Sequence, residues 1–195
     1  MQTAQIARPK TWPMTIDAYD KLVESGELEG ERVELIDGKI IQMPPQTEPH
    51  GVSMMLAQSA LTAASGVGYT IRPQLPISLG EHSKPEPDIT VVPGSTRSTL
   101  RGGTPTTALL IVEVSFATLA FDRSRKLALY ARFGIQEYWI INLVDRQLEV
   151  HRRPVRVPEQ KLRFGYKERK VLRAKDSISP LSAPHAVLRV RDLLP

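Results

Sequence analysis

The sequence predicts an α/β fold, and two features near its middle carry that reading. The aliphatic run Ala108 to Val112 leads without a break into Glu113, Val114 and Ser115. A strand apolar on both faces belongs at the centre of a sheet that is covered on both sides. A helix follows, roughly Ala120 to Phe133, on which Asp122, Lys126, Tyr130 and Phe133 recur at i, i+4, i+8 and i+11 and form one stripe. Tyr130 and Phe133 anchor that stripe to the sheet and carry Asp122 and Lys126 inward with them. Glu113 is the odd residue of its strand, because an ionised carboxylate is costly to bury unless it is paired or bound to a metal.

The remaining elements follow in order. Residues 1 to 13 read as a flexible lead. Thr15 to Ser25 reads as a short helix with Thr15 as N-cap and Gly26 after its end. Asp37-Gly38 between two apolar-rich arms is a strong type I′ hairpin signal, placing strands over Arg32–Ile36 and Lys39–Met43. Within the first strand Glu34 lies on the opposite face from Val33 and Leu35. Gly51 to Ser65 reads as a second helix, with His50 just before it. Tyr69 to Leu79 alternates like a strand, and Pro73 and Pro76 assign it to an edge. The prolines of KPEPDITVV hold the approach to a further strand extended, and Asp88 opens it. Residues 93 to 107 read as a Gly/Thr/Pro/Ser loop. After Gly134, Glu137–Asn142 and Gln147–Arg152 read as paired strands, residues 161 to 173 as another arm, and the tail as an extended segment with a final turn. Trp12, Trp139 and Tyr138 read as packing residues.

Composition bounds the function. At 195 residues, 41% hydrophobic and 24% charged, the chain suits one soluble globular domain. No apolar run approaches a membrane span, and the first residues lack a secretory signal. With no cysteine, disulfides and thiolate metal sites are excluded, and a cytoplasmic location is expected. Residues 151 to 175 hold ten Lys/Arg against two Glu, a local charge of +8 in a chain of net +5. Such a basic β-hairpin suits a polyanion, nucleic acid foremost; solvated charges on a protected sheet edge are the plain alternative. The four histidines have no zinc spacing, no Gly-x-Ser-x-Gly elbow is present, and Gly102-Gly103 lacks phosphate-loop spacing.

Glu34, Asp88 and Glu113 each stand at the boundary of an apolar strand. Hard oxygen donors of this kind suit Mg²⁺ or Mn²⁺. Pro87-Asp88, then Glu113-Val114-Ser115 about 25 residues later, resembles the bipartite motif of the PD-(D/E)xK nuclease superfamily. The wider words VELIDGKIIQMPP, EPDITVV, LLIVEVSFAT, RKLALYARFGIQEYWIIN and the closing SPL…LRVRDLL resemble the Uma-type family of restriction-endonuclease-like proteins. The resemblance implies a restriction-endonuclease-like core, a mixed sheet flanked by helices, and Mg²⁺- or Mn²⁺-dependent hydrolysis of DNA. It also implies Asp88 and Glu113 as metal ligands, the Val114 carbonyl as a possible third, and Glu34 as an additional acid. Ser115 stands where the motif has its lysine, and Lys126 on the following helix matches the migrated lysine. His50 falls where the family often has histidine, for work on phosphate or water. Homodimerisation is an expectation from the need to cut two strands. The Ser115 departure keeps open a nucleic-acid-binding module without turnover, and an RNA substrate is a further alternative. For Lys126 a surface pair with Asp122 also remains open, and for Glu34 a cross-strand bond to Lys39.

Overall fold

The computed structural model describes residues 11–195, without the side chain of Leu100. Most of the expected flexible lead lies outside them. A six-stranded mixed sheet forms the centre, in the order β3 (Tyr69–Pro73), β4 (Ile89–Pro93), β5 (Leu110–Ser115), β6 (Glu137–Asn142), β7 (Gln147–Arg156), β8 (Phe164–Arg173). All neighbours are antiparallel except β5 and β6. Parallel strands need a crossover, and here it is helical: α4 (Leu119–Phe121), a π-helical turn (Asp122–Lys126) and α5 (Leu127–Arg132). Every residue of β5 and β6 is buried, as the central-strand reading expects.

Alternation divides the sheet into two faces. Leu110, Val112 and Val114 of β5 join Trp139, Val150 and Leu188 in one core, packed under Ala57 and Leu61 of α2 (Glu48–Ser65). Ile111, Tyr138 and Ile140 join Leu129 and Tyr130 of α5 in the other. Since side chains alternate along a strand, Glu113 and Ser115 face the α5 side with Ile111.

The first hairpin forms as its turn demands. Asp37 and Gly38 have φ of 50° and 72°, and β1 (Val33–Ile36) pairs with β2 (Lys39–Gln42). It stands as a separate two-stranded sheet, bridged from Leu35 to Lys84. A Cβ on Gly38 would collide with Pro13 Cβ and approach its Cα to 2.8 Å. Gly38→Ala is therefore expected to cost at least about 1–3 kcal/mol, since the clash adds to a positive φ. Urea denaturation measures it.

Several expectations are corrected. Helix α2 starts at Glu48 rather than Gly51, because Pro49 suits a first helical turn; His50 therefore lies within the helix. The strand from Tyr69 stops at Pro73, at the sheet edge, and residues 74 to 79 run on irregularly as two prolines remove backbone donors. The loop from 93 to 107 contains a short helix, α3 (Thr96–Arg101). Trp12 does not pack inside; it is 82% exposed, ahead of the first helix α1 (Ile16–Glu24). No helix of the described residues is long and apolar enough to cross a membrane.

The basic hairpin is β7–β8, with β8 at the open edge. Arg152 and Arg169 project to opposite faces: one reaches buried Glu137 and the other buried Glu149. Glu149 is fully buried, which alone would raise its pKa, but hydrogen bonds from Arg123, Asn142 and Arg169 outweigh burial and hold it at about 2. A depressed carboxyl stabilises the fold above its unfolded pKa of about 4.3 and loses that contribution as pH falls towards 2. Acid unfolding is thus expected to steepen in that window, and Glu149→Gln to flatten it.

Candidate active site

Glu34, Asp88, Glu113, Asp122 and Lys126, together with His50, line one cavity of about 60 Å³. That is room for roughly two waters at liquid density. Its walls come from β1, the first turn of α2, the residue before β4, the end of β5 and the π-helical turn, so the sheet and its crossover converge there.

Lys126 occupies the centre. It is 1% exposed, and its Nζ donates to Glu113 Oε1 at 2.9 Å and Glu34 Oε1 at 3.1 Å. This settles both open pairings: Glu34 is 5% exposed and bonded to Lys126, not to Lys39, and Lys126 is not a surface partner of Asp122. Tyr130 Oη donates to the same Glu113 oxygen at 2.6 Å. Asp88 Oδ2 accepts the Val114 backbone N–H at 2.8 Å and lies 3.2 Å from His50 Nε2. Val114 thus lines the site, with its N–H fixing Asp88. Both strand-end acids open on the same cavity, held in place before any ligand arrives.

The π-turn is held by a contact from the neighbouring strand. The carbonyl of Asp122 accepts the Leu127 N–H five residues on, and it also accepts the Tyr138 hydroxyl at 3.2 Å. A second donor at that carbonyl favours the wider turn, and such turns recur at functional sites. The Asp122 carboxylate takes the Ser115 hydroxyl at 2.7 Å and the Thr118 hydroxyl at 2.6 Å. Ser115, which cannot supply a cation, instead anchors the segment that brings Lys126 in. Sequence reasoning missed this use of Ser115 and Thr118, and missed the Tyr130 contact although Tyr130 stood on the same stripe. It also missed Glu86 and Arg32, which line the cavity as well.

Electrostatically the site is starved of positive charge. Five carboxylates (Glu34, Glu86, Asp88, Glu113, Asp122) line it against Arg32 and Lys126. Burial pushes Glu113 well above the usual carboxylate range, and Glu34 and Asp122 up as well, with Lys126 opposing in each case. Burial alone would depress Lys126; Glu113, Glu34 and Asp122 outweigh it and hold the ammonium well above its ordinary value.

The donor set fits a hard divalent ion. Glu34 Oε2 and Asp122 Oδ1 are buried oxygens with no hydrogen-bond partner. Yet among the described residues no three His, Asp or Glu side chains form a ready-made metal cage.

The family model Uma2, described as "Putative restriction endonuclease", matches residues 16–191. No curated protein gives a significant match. Among solved structures, a "putative nuclease belonging to DUF820" from Anabaena variabilis superposes with a TM-score of 0.67 at 21% identity, covering 93% of this chain and 97% of that one. The mixed sheet flanked by helices is thus a restriction-endonuclease-like fold.

Proposed function

The chain belongs to the Uma2 family, and on that premise we propose that it is an endonuclease hydrolysing DNA phosphodiester bonds with a bound divalent metal ion. The observation that supports this most is the Lys126 ammonium held between Glu113 and Glu34 in the cavity that Asp88 also lines. Asp88 and Glu113 would hold Mg²⁺ or Mn²⁺, with the Val114 carbonyl a further oxygen donor. Bound there, the ion supplies positive charge that polarises the scissile phosphate and makes water more acidic.

The chain's own groups do the positioning. Lys126 stays an ammonium at neutral pH, so it serves as a donor and not as the base. Two of its three N–H bonds are committed to carboxylates, which leaves one to orient the attacking water and to meet charge developing on phosphate. The unpartnered Oε2 of Glu34 accepts from that water. Tyr130 fixes Glu113, and His50 and the Val114 amide fix Asp88. The exposed Lys167, Arg169, Lys170 and Arg173 of β8 suit a polyanionic substrate.

Supercoiled plasmid, single-stranded DNA and structured RNA incubated in parallel with Mg²⁺, Mn²⁺ or EDTA test the proposal. Nicked plasmid is expected with either metal and not with EDTA. Degradation of RNA alone would move the substrate to RNA, and intact substrates throughout would favour the binding-module reading.

A further inference from the structure

Beside the acidic cavity, the same helical segment walls a second one of about 390 Å³. Arg123 and Arg169 stand at its rim, Leu127 and Tyr166 along its wall, Glu149 and His151 at its floor. Both guanidiniums are turned to one point, because the fully buried Glu149 accepts from Arg123 Nε at 3.0 Å and from Arg169 Nη2 at 3.0 Å. Within the lining two guanidiniums face one carboxylate, and Asp145, outside it, takes Arg123 Nη2 at 3.5 Å. Among the described residues, Arg123 Nη1 and Arg169 Nε and Nη1 make no hydrogen bond, so each guanidinium keeps donors to offer.

The floor holds an unused polar atom. His151 is 4% exposed, and its ring lies 5.9 Å from both Tyr138 and Tyr166. Those tyrosine hydroxyls are committed, to the Asp122 and Ile135 carbonyls. The buried His151 Nε2 has no hydrogen-bond partner and stands 4.0 Å from Glu149 Oε2. Burial pushes His151 down to about 4, so at neutral pH the ring is uncharged and offers a neutral hydrogen-bonding edge.

An aromatic and aliphatic wall, a hydrogen-bonding floor and a cationic rim match the parts of one nucleotide. We propose that this cavity binds a nucleoside monophosphate unit, its base against Tyr166 and Leu127 with an edge on His151 Nε2, and its phosphate on Arg123 and Arg169. The unit has two sources, a free mononucleotide or an unpaired nucleotide of a DNA strand. The second rests on the nuclease reading: Arg123 directly follows Asp122, so one strand can meet both cavities across a single helical segment.

Titration calorimetry in EDTA with the four deoxynucleoside 5′-monophosphates, the matching nucleosides and inorganic phosphate tests the site. Single-stranded oligonucleotides carrying 2-aminopurine, followed by fluorescence, test the strand source. Saturable binding of mononucleotides or oligonucleotides is expected. His151→Phe keeps the ring stack and is expected to weaken it at least tenfold. Arg169→Gln is expected to weaken nucleotides about tenfold and nucleosides hardly at all. Should His151→Phe fail to fold, Val157→Trp at the cavity wall is expected to block binding instead. Binding of mononucleotides but not oligonucleotides would assign the cavity to a free nucleotide, and the reverse to a strand. Phosphate binding as tightly as mononucleotides, no saturation by either form, or variants that bind like the parent protein would overturn the proposal. Because no metal or turnover is involved, its failure leaves the cleavage reading standing, and a protein that does not cut can still pass this test.

Discussion

Lys126→Met is expected to lower metal-dependent cleavage by about 10²–10³-fold, the usual cost of removing one preorganised donor from developing charge. Methionine fills most of the same volume, so the loss reports the ammonium and not a cavity. Stability should change as well, because Glu113 and Glu34 are left buried without their shared cation. Breaking a buried ion pair costs about 3–5 kcal/mol when the remaining charge persists. Here the acids can protonate instead. Their folded pKa values, already raised by burial, then rise further, so the folded state holds protons that the unfolded chain releases. Stability of the variant should consequently fall as pH rises, with melting clearly lower at about pH 8 than at about pH 5.5 relative to the parent protein. Added Mg²⁺ should recover part of the loss. Full cleavage activity in Lys126→Met would remove the lysine from the mechanism.

Asp88→Asn is expected to abolish the response of the fold to divalent metal. An ion at 100 times its dissociation constant stabilises by about 2.7 kcal/mol. For a chain of this size that raises the melting temperature by roughly 5–10 °C. Asparagine keeps an oxygen to accept the Val114 N–H, so the apo variant should melt within a few degrees of the parent protein. What it loses is the negative charge. A Mn²⁺ titration followed by thermal melting separates the two effects, and an undiminished rise in Asp88→Asn would show that metal binds elsewhere.

The residues explain which parts of this site could be read in advance. The stripe from Asp122 to Phe133 predicts Lys126 inward from α-helical spacing, and its burial at 1% exposure agrees although the segment Asp122–Lys126 folds as a π-turn. Asp37-Gly38 fixes its hairpin because the turn needs two positive φ values. What local pattern cannot reveal is which distant groups meet. Glu34 lies 92 residues from the lysine it pairs with. The π-turn depends on a hydroxyl delivered by Tyr138 on the next strand. Glu137 and Glu149 look like ordinary polar positions of alternating strands. Both are fully buried, since arginines far along the chain neutralise them. Ser115 read as a missing lysine because its tie to Asp122 exists only once the crossover is packed.

Anomalous diffraction at the manganese edge, from crystals grown with Mn²⁺, tests most directly whether these acids form a metal site. One strong peak within bonding distance of both Asp88 and Glu113, with the Lys126 ammonium still beside Glu113, is the predicted result. Manganese bound only at other surfaces, or Lys126 turned away into solvent when the ion is present, would contradict it.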